Sequence, residues 1–126
     1  GISLVNSGII TTKELVKDSP DLVRRMMAAS TRSILAAVQD PKGAAASILK
    51  ANPKGGKIDT LTEGFELTIP LFKDPTNRTK QPFMVSEENM AETVSIMVEY
   101  GGLETSAKND AKAFYTNAYL PKEPRL

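Results

Sequence analysis

Few side chains in this sequence are spaced for chemistry, and the best of them sit near its start. Asn6-Ser7-Gly8 interrupts an otherwise apolar run, with Gly1-Ile2-Ser3-Leu4-Val5 before it and Ile9-Ile10-Thr11-Thr12 after it. Asn and Ser carry groups that both donate and accept hydrogen bonds. Gly8 lets a backbone bend or approach another group closely. Together they suit a small polar ligand, so Asn6 and Ser7 are the candidate ligand-binding residues. The same three residues also suit a turn or bulge held by an Asx-type hydrogen bond.

The other candidates are weaker. Glu87-Glu88 is an adjacent pair whose side chains diverge on a helix, and both fit the positive end of a helix start. Lys54-Gly55-Gly56-Lys57 has neither the Walker nor the Rossmann spacing and reads as a hinge. Asn77-Arg78-Thr79 matches a glycosylation acceptor, a short pattern that arises easily by chance. Arg24-Arg25 with Arg32 reads as a solvated helix face. The Met residues recur at core positions and read as filler.

Composition narrows the chemistry further. The 126 residues contain no Cys, no His and no Trp. That excludes a Cys nucleophile, Cys/His zinc sites and His-centred triads within the chain. The expectation is therefore no enzyme activity, no cofactor and no metal. Sixteen Lys+Arg against fifteen Asp+Glu is too even a balance to suggest a nucleic-acid partner. No apolar run approaches the roughly 20 residues that span a bilayer.

The elements that must position Asn6 and Ser7 are mostly helices. Residues 1–12 read as an extended segment whose backbone needs partner strands, because a lone strand leaves its N–H and C=O groups unpaired. Thr11-Thr12 caps a short helical turn over 13–17. Ser19-Pro20-Asp21 opens a helix that runs to about Gln39, with Leu22, Val23, Met26, Met27, Ser30, Ile34, Ala37 and Val38 as its buried stripe. Asp40-Pro41 opens the next helix, which ends at Asn52-Pro53. Asp59-Thr60 starts a third, with Thr60 and Glu63 at capping-box spacing, and Pro70 is expected to kink or break it. Ser86 caps a helix that ends at Tyr100-Gly101-Gly102, with Gly101 in the left-handed position. Ser106 to Phe114 reads as a short helix. Phe114 to Pro121 reads as an aromatic tail docked on the body, and 121–126 as a loose end.

The order of these signals carries a resemblance. Gly8-Ile9-Ile10-Thr11-Thr12 is followed by Ser19-Pro20-Asp21-Leu22-Val23-Arg24-Arg25-Met26-Met27-Ala28-Ala29-Ser30. Then come Ala36-Ala37-Val38-Gln39-Asp40-Pro41, Met90 through Glu99-Tyr100-Gly101-Gly102-Leu103, and Phe114-Tyr115-Thr116-Asn117-Ala118-Tyr119-Leu120-Pro121. The set, spread over nearly the whole chain, resembles the C-terminal portion of the NMT1/THI5-like family. These are substrate-binding proteins of ABC importers for nitrate, sulfonates, taurine, pyrimidine thiamin precursors and similar small solutes.

The resemblance implies an α-rich C-terminal part of an α/β type II periplasmic-binding-protein fold, with one or two short strands and about five helices. It implies that 1–126 finishes the first of two lobes, with 1–12 as the segment returning from the second lobe and 13–120 as the helical region. It further implies a small-molecule solute and an ABC permease of the inner membrane as partners, and a periplasmic or lipid-anchored extracytoplasmic location. The sheet neighbours of the opening segment would lie in a missing N-terminal part of the same protein or in a neighbouring chain. Two other readings stand beside this one. The chain also suits a free-standing helical interaction module that oligomerises through its N-terminal strand. Some family members resemble pyrimidine synthases that use a His and a pyridoxal cofactor; this chain has no His, and on that reading such a residue would lie in the missing part.

Overall fold

A computed structural model describes residues 4–5, 8–72 and 81–122. The chain divides into two compact units, Gly1–Arg25 with Phe83–Leu120, and Met26–Pro82 with Pro121–Leu126. The order of elements is α1 (Lys13–Asp18), α2 (Pro20–Gln39), α3 (Pro41–Ala51), α4 (Ile58–Phe72), α5 (Glu87–Tyr100) and a 3-10 helix (Thr105–Phe114). The α-rich expectation holds. The one or two short strands do not appear among the described residues: Leu4, Val5 and Gly8 to Thr12 are neither helix nor strand.

Capping chemistry sets most of the helix ends. Thr12 Oγ1 accepts from the Leu15 N–H at 3.1 Å and opens α1. Ser19 closes α1 by donating its N–H to the Leu15 carbonyl at 2.9 Å, and its own carbonyl then receives the first bonds of α2. Pro20 stands at the first position of α2, where its missing N–H costs nothing. Asp40 Oδ1 accepts from the Gly43 N–H at 2.9 Å and opens α3. A Cβ on Gly43 would lie 2.1 Å from Asp40 Oδ2, so a side chain there would make the Asp40 carboxylate shift. Ser86 Oγ accepts from the Asn89 N–H at 3.1 Å and opens α5.

Three boundaries differ from the reading of the sequence. α4 begins at Ile58, so Thr60 lies inside its first turn and the Thr60–Glu63 capping box is not formed. α4 also continues through Pro70 and stops at Phe72, so the bond that proline removes falls in the last turn, where few bonds remain to be lost. At the end of α5 the left-handed residue is Gly102 (φ +75), not Gly101 (φ −101). The Met97 carbonyl accepts from both Gly101 N–H at 2.9 Å and Leu103 N–H at 3.0 Å, and the positive φ at Gly102 turns the chain back to make the second bond.

In the first unit α5 packs on the 3-10 helix, and Val23, Met90 and Val94 are buried. In the second unit α3 packs on α4, and Met27, Thr31, Ala37 and Ala45 are buried. Along α2 the buried stripe is narrower than expected. It runs Val23, Met27, Thr31 and Ala37, whereas Leu22 and Met26 are exposed.

Among the described residues, Thr31 carries the buried hydroxyl that has no partner. Ser33, Ser47, Thr62, Thr68 and Thr93 each donate to the carbonyl four residues earlier. Thr31 is fully buried and its Oγ1 has no partner. A buried hydroxyl without a hydrogen bond loses its solvation and recovers nothing. Thr31→Val keeps the shape and removes the unsatisfied oxygen, so it is expected to stabilise the protein by about 1 kcal/mol. The check is a urea midpoint that moves up with an unchanged slope. A lower midpoint would show that this oxygen has a partner in solution.

Candidate functional site

Asn6 and Ser7 lie outside the described residues, as does Asn77-Arg78-Thr79. What the structure does place is the backbone beside them. Val5 donates its N–H to Thr93 Oγ1 at 2.8 Å. Thr93 in turn donates its hydroxyl proton to the Asn89 carbonyl at 2.7 Å. Both Val5 and Thr93 are half-buried. The N–H that an extended segment would give to a sheet neighbour is here satisfied by a side chain of α5.

The start of α5 gathers the polar contacts of the first unit. Asn117 grips Val85 with both ends of its amide: Oδ1 accepts from the Val85 N–H at 3.1 Å, and Nδ2 donates to the Val85 carbonyl at 2.8 Å. Phe83, two residues earlier, has φ 65, a left-handed conformation that bulky residues rarely adopt. Arg24 binds Asp21 at 2.7 Å and lies 5.5 Å from the centre of the Tyr119 ring. The aromatic tail is therefore docked, as its composition suggests. The basic trio on α2 is exposed, but Arg24 is engaged rather than free. In the second unit the Pro121 carbonyl accepts from the Gln81 side-chain amide, so this first residue of the supposed loose end is held. Residues 123–126 lie outside the described part.

Lys112 Nζ meets Glu87 Oε1 at 2.9 Å. The hydrogen bond to Glu87, and then its charge, hold the ammonium above the ordinary lysine value of 10.5. A raised folded value means that the pair's contribution is complete below the ordinary value and is lost as pH rises through the raised one. The melting-temperature difference between wild type and Lys112→Met is therefore expected to stay level from about pH 7 to about pH 9 and to vanish in stronger alkali. It will be small, because both side chains are exposed. A difference that declined already at neutral pH would show that another group carries it.

The first turn of α5 carries Glu87 and Glu88, whose negative charges occupy the helix end that would otherwise attract an anion. No cluster of His, Cys, Asp or Glu among the described residues has the grouping to hold a metal ion. No described helix is long and apolar enough to cross a membrane. The second unit has a shallow groove of about 320 Å³ walled by Ile34, Ala37, Ile48, Leu61, Phe65 and Ile69. No charged side chain lines it, and the hydroxyls of Thr60 and Thr68 are the polar side-chain groups on its wall.

Reading the sequence missed Thr93 and Asn117. Helical periodicity puts Thr93 on one stripe of α5 with Met90 and Val94, and Asn117 lies in the aromatic tail. Their partners are 88 and 32 positions away, and no local pattern announces them.

Residues 1–44 match the family model described as NMT1/THI5 like. The matched stretch covers the segment held by Thr93, α1, α2 and the first residues of α3. The NMT1/THI5-like resemblance quoted for α5 and the aromatic tail lies outside that match. No curated protein and no solved structure matches this chain.

Proposed function

We propose that this chain is part of a solute-binding component of an ABC importer, one that takes a small organic or anionic solute such as nitrate, a sulfonate, taurine or a pyrimidine. The observation that carries this reading is the NMT1/THI5-like match over residues 1–44. On this reading the protein works outside the cytoplasm, in the periplasm or on a lipid anchor, binds without chemical change, and delivers its solute to an inner-membrane permease. Asn6 and Ser7 contribute polar groups to the solute. Helices α1 to α5 finish one lobe of a two-lobe type II fold. A solute favours the closed form only by as much as it binds that form better, which requires contacts to both lobes.

The test is a thermal-shift panel on the protein at its gene-encoded length, with nitrate, taurine, alkanesulfonates, pyrimidines and aromatic acids. One class is expected to stabilise it by about 2.7 kcal/mol at a hundredfold excess over Kd, a shift of several degrees. No shift across the panel would count against a solute-binding role. The 126-residue chain alone is expected to respond to none of them, because the contacts from a second lobe are wanting. A clear shift with it would mean that it holds a complete site.

A further inference from the structure

Three stripes lie side by side along α4. Leu61, Phe65 and Thr68 stand at i, i+4 and i+7 and wall the groove of the second unit. Thr60, Gly64, Leu67 and Leu71 form the next stripe, at i, i+4, i+7 and i+11. Asp59, Glu63 and Glu66 form the third, each one position before a member of the second. Leu67 is 70% exposed and Leu71 is 66% exposed. The apolar surface therefore does not stop at the groove but continues out over these two leucines. Its far edge is acidic. Asp59, Glu63 and Glu66 are exposed, and α4 carries no Lys or Arg. None of the three carboxylates has an ion pair among the described residues. On α3, Ile48 borders the groove, while Lys42 and Lys50 fall on other faces of that helix.

We propose that this face of α4 is a docking surface for an amphipathic helix of a partner protein. The partner helix lays apolar side chains at i, i+3, i+4 and i+7 on Leu67, Leu71 and the groove, and carries Lys or Arg along the edge that meets Asp59, Glu63 and Glu66. Covering the two leucines supplies affinity by removing apolar area from water. The charge pairs set which way round the partner lies and exclude an acidic one. A second copy of α4 does not qualify, because laid antiparallel on this ridge it would set its own carboxylates against these. Solute binding is not required for this contact.

The experiment titrates the protein at gene-encoded length with two fluorescent amphipathic peptides of about 18 residues. They share one leucine stripe and differ only in carrying Lys or Glu along its edge. Wild type is expected to bind the lysine peptide roughly tenfold more tightly than the glutamate peptide, with a preference that fades as salt rises. Leu67→Ser combined with Leu71→Ser is expected to weaken the lysine peptide roughly tenfold or more. Glu63→Lys combined with Glu66→Lys is expected to reverse the preference between the two peptides. All four positions are exposed, so helical circular dichroism is expected to match wild type. Should the leucine variant fail to fold, the charge-reversed variant decides alone. Equal affinity for the two peptides, full affinity in the leucine variant or an unreversed preference in the charge-reversed variant would each overturn the proposal. So would a dimer in light scattering that the leucine substitutions dissolve, which would give the face to a second copy. Binding to phosphatidylcholine vesicles that the same substitutions abolish would overturn it too, by giving the face to a lipid surface.

Discussion

Asn117→Asp is expected to destabilise the protein by about 2–4 kcal/mol at neutral pH, more than Asn117→Ala at about 2 kcal/mol. Asn117 satisfies both backbone groups of a single residue, Val85, at 3.1 and 2.8 Å. Alanine leaves that half-buried N–H and C=O without partners. Aspartate keeps the acceptor for the N–H but sets a carboxylate oxygen against the Val85 carbonyl, so loss of a bond becomes repulsion. The clamp also lies two residues beyond Phe83, whose left-handed backbone must be held by its surroundings. The aspartate variant carries its own control. A protonated carboxyl can donate to the carbonyl again, so folding favours the neutral form and raises the carboxyl's folded pKa. The deficit from wild type should therefore shrink as pH falls toward the ordinary Asp value of about 3.9. Urea unfolding measures all three proteins. If both variants fall within about 0.5 kcal/mol of wild type, the tail is not clamped at Val85.

The second large effect separates two adjacent methionines. Met27 is 9% exposed and Met26 is 56% exposed. Met27→Ala removes buried apolar atoms and leaves a cavity, and is expected to cost about 2–4 kcal/mol. Met26→Ala removes atoms that already face water and is expected to stay within about 0.5 kcal/mol, helped by alanine's better helix propensity. The measurement is the urea midpoint of each variant at a common slope. Equal losses would place the buried face of α2 elsewhere.

That pair shows where the sequence is legible and where it stops. Helix ends were readable because their determinants are local. Thr12, Ser19-Pro20, Asp40-Pro41 and Ser86 act on atoms two to four residues away, and α1, α2, α3 and α5 start where these signals stand. The face of α2 was readable only broadly. Hydrophobic spacing admits Leu22 and Met26 as readily as Val23 and Met27, and only packing against other elements chooses between them. Thr60 with Glu63 had the spacing of a cap, yet α4 starts at Ile58, because a capping pattern inside the first turn is indistinguishable in sequence from one at its edge. Gly101 and Gly102 were equally able to take the left-handed position, and the bond from Leu103 to Met97 decides for Gly102.

The candidate site was less legible than the fold. Asn6 and Ser7 stand out as polar residues in an apolar run, and they lie outside the described residues. The group that holds their neighbour is a threonine far along the chain, which helical periodicity assigns to a core stripe. A side-chain hydroxyl that accepts from a backbone N–H 88 positions away leaves no trace in composition or spacing. The family match over residues 1–44 and the longer resemblance agree on the opening segment and on α2, where the local signals are also strongest.

The 3-10 helix Thr105–Phe114 breaks at Asp110, whose φ of −143 and ψ of 59 are not helical. Asn109, Asp110 and their flanking Lys108 are exposed, while Lys112 and Asn117 hold the chain farther on. Extra residues grafted at this break would lengthen a loop whose far side is independently moored. It is the natural place to splice in an epitope or a fluorophore tag without disturbing either the docked tail or the threonine that grips Val5.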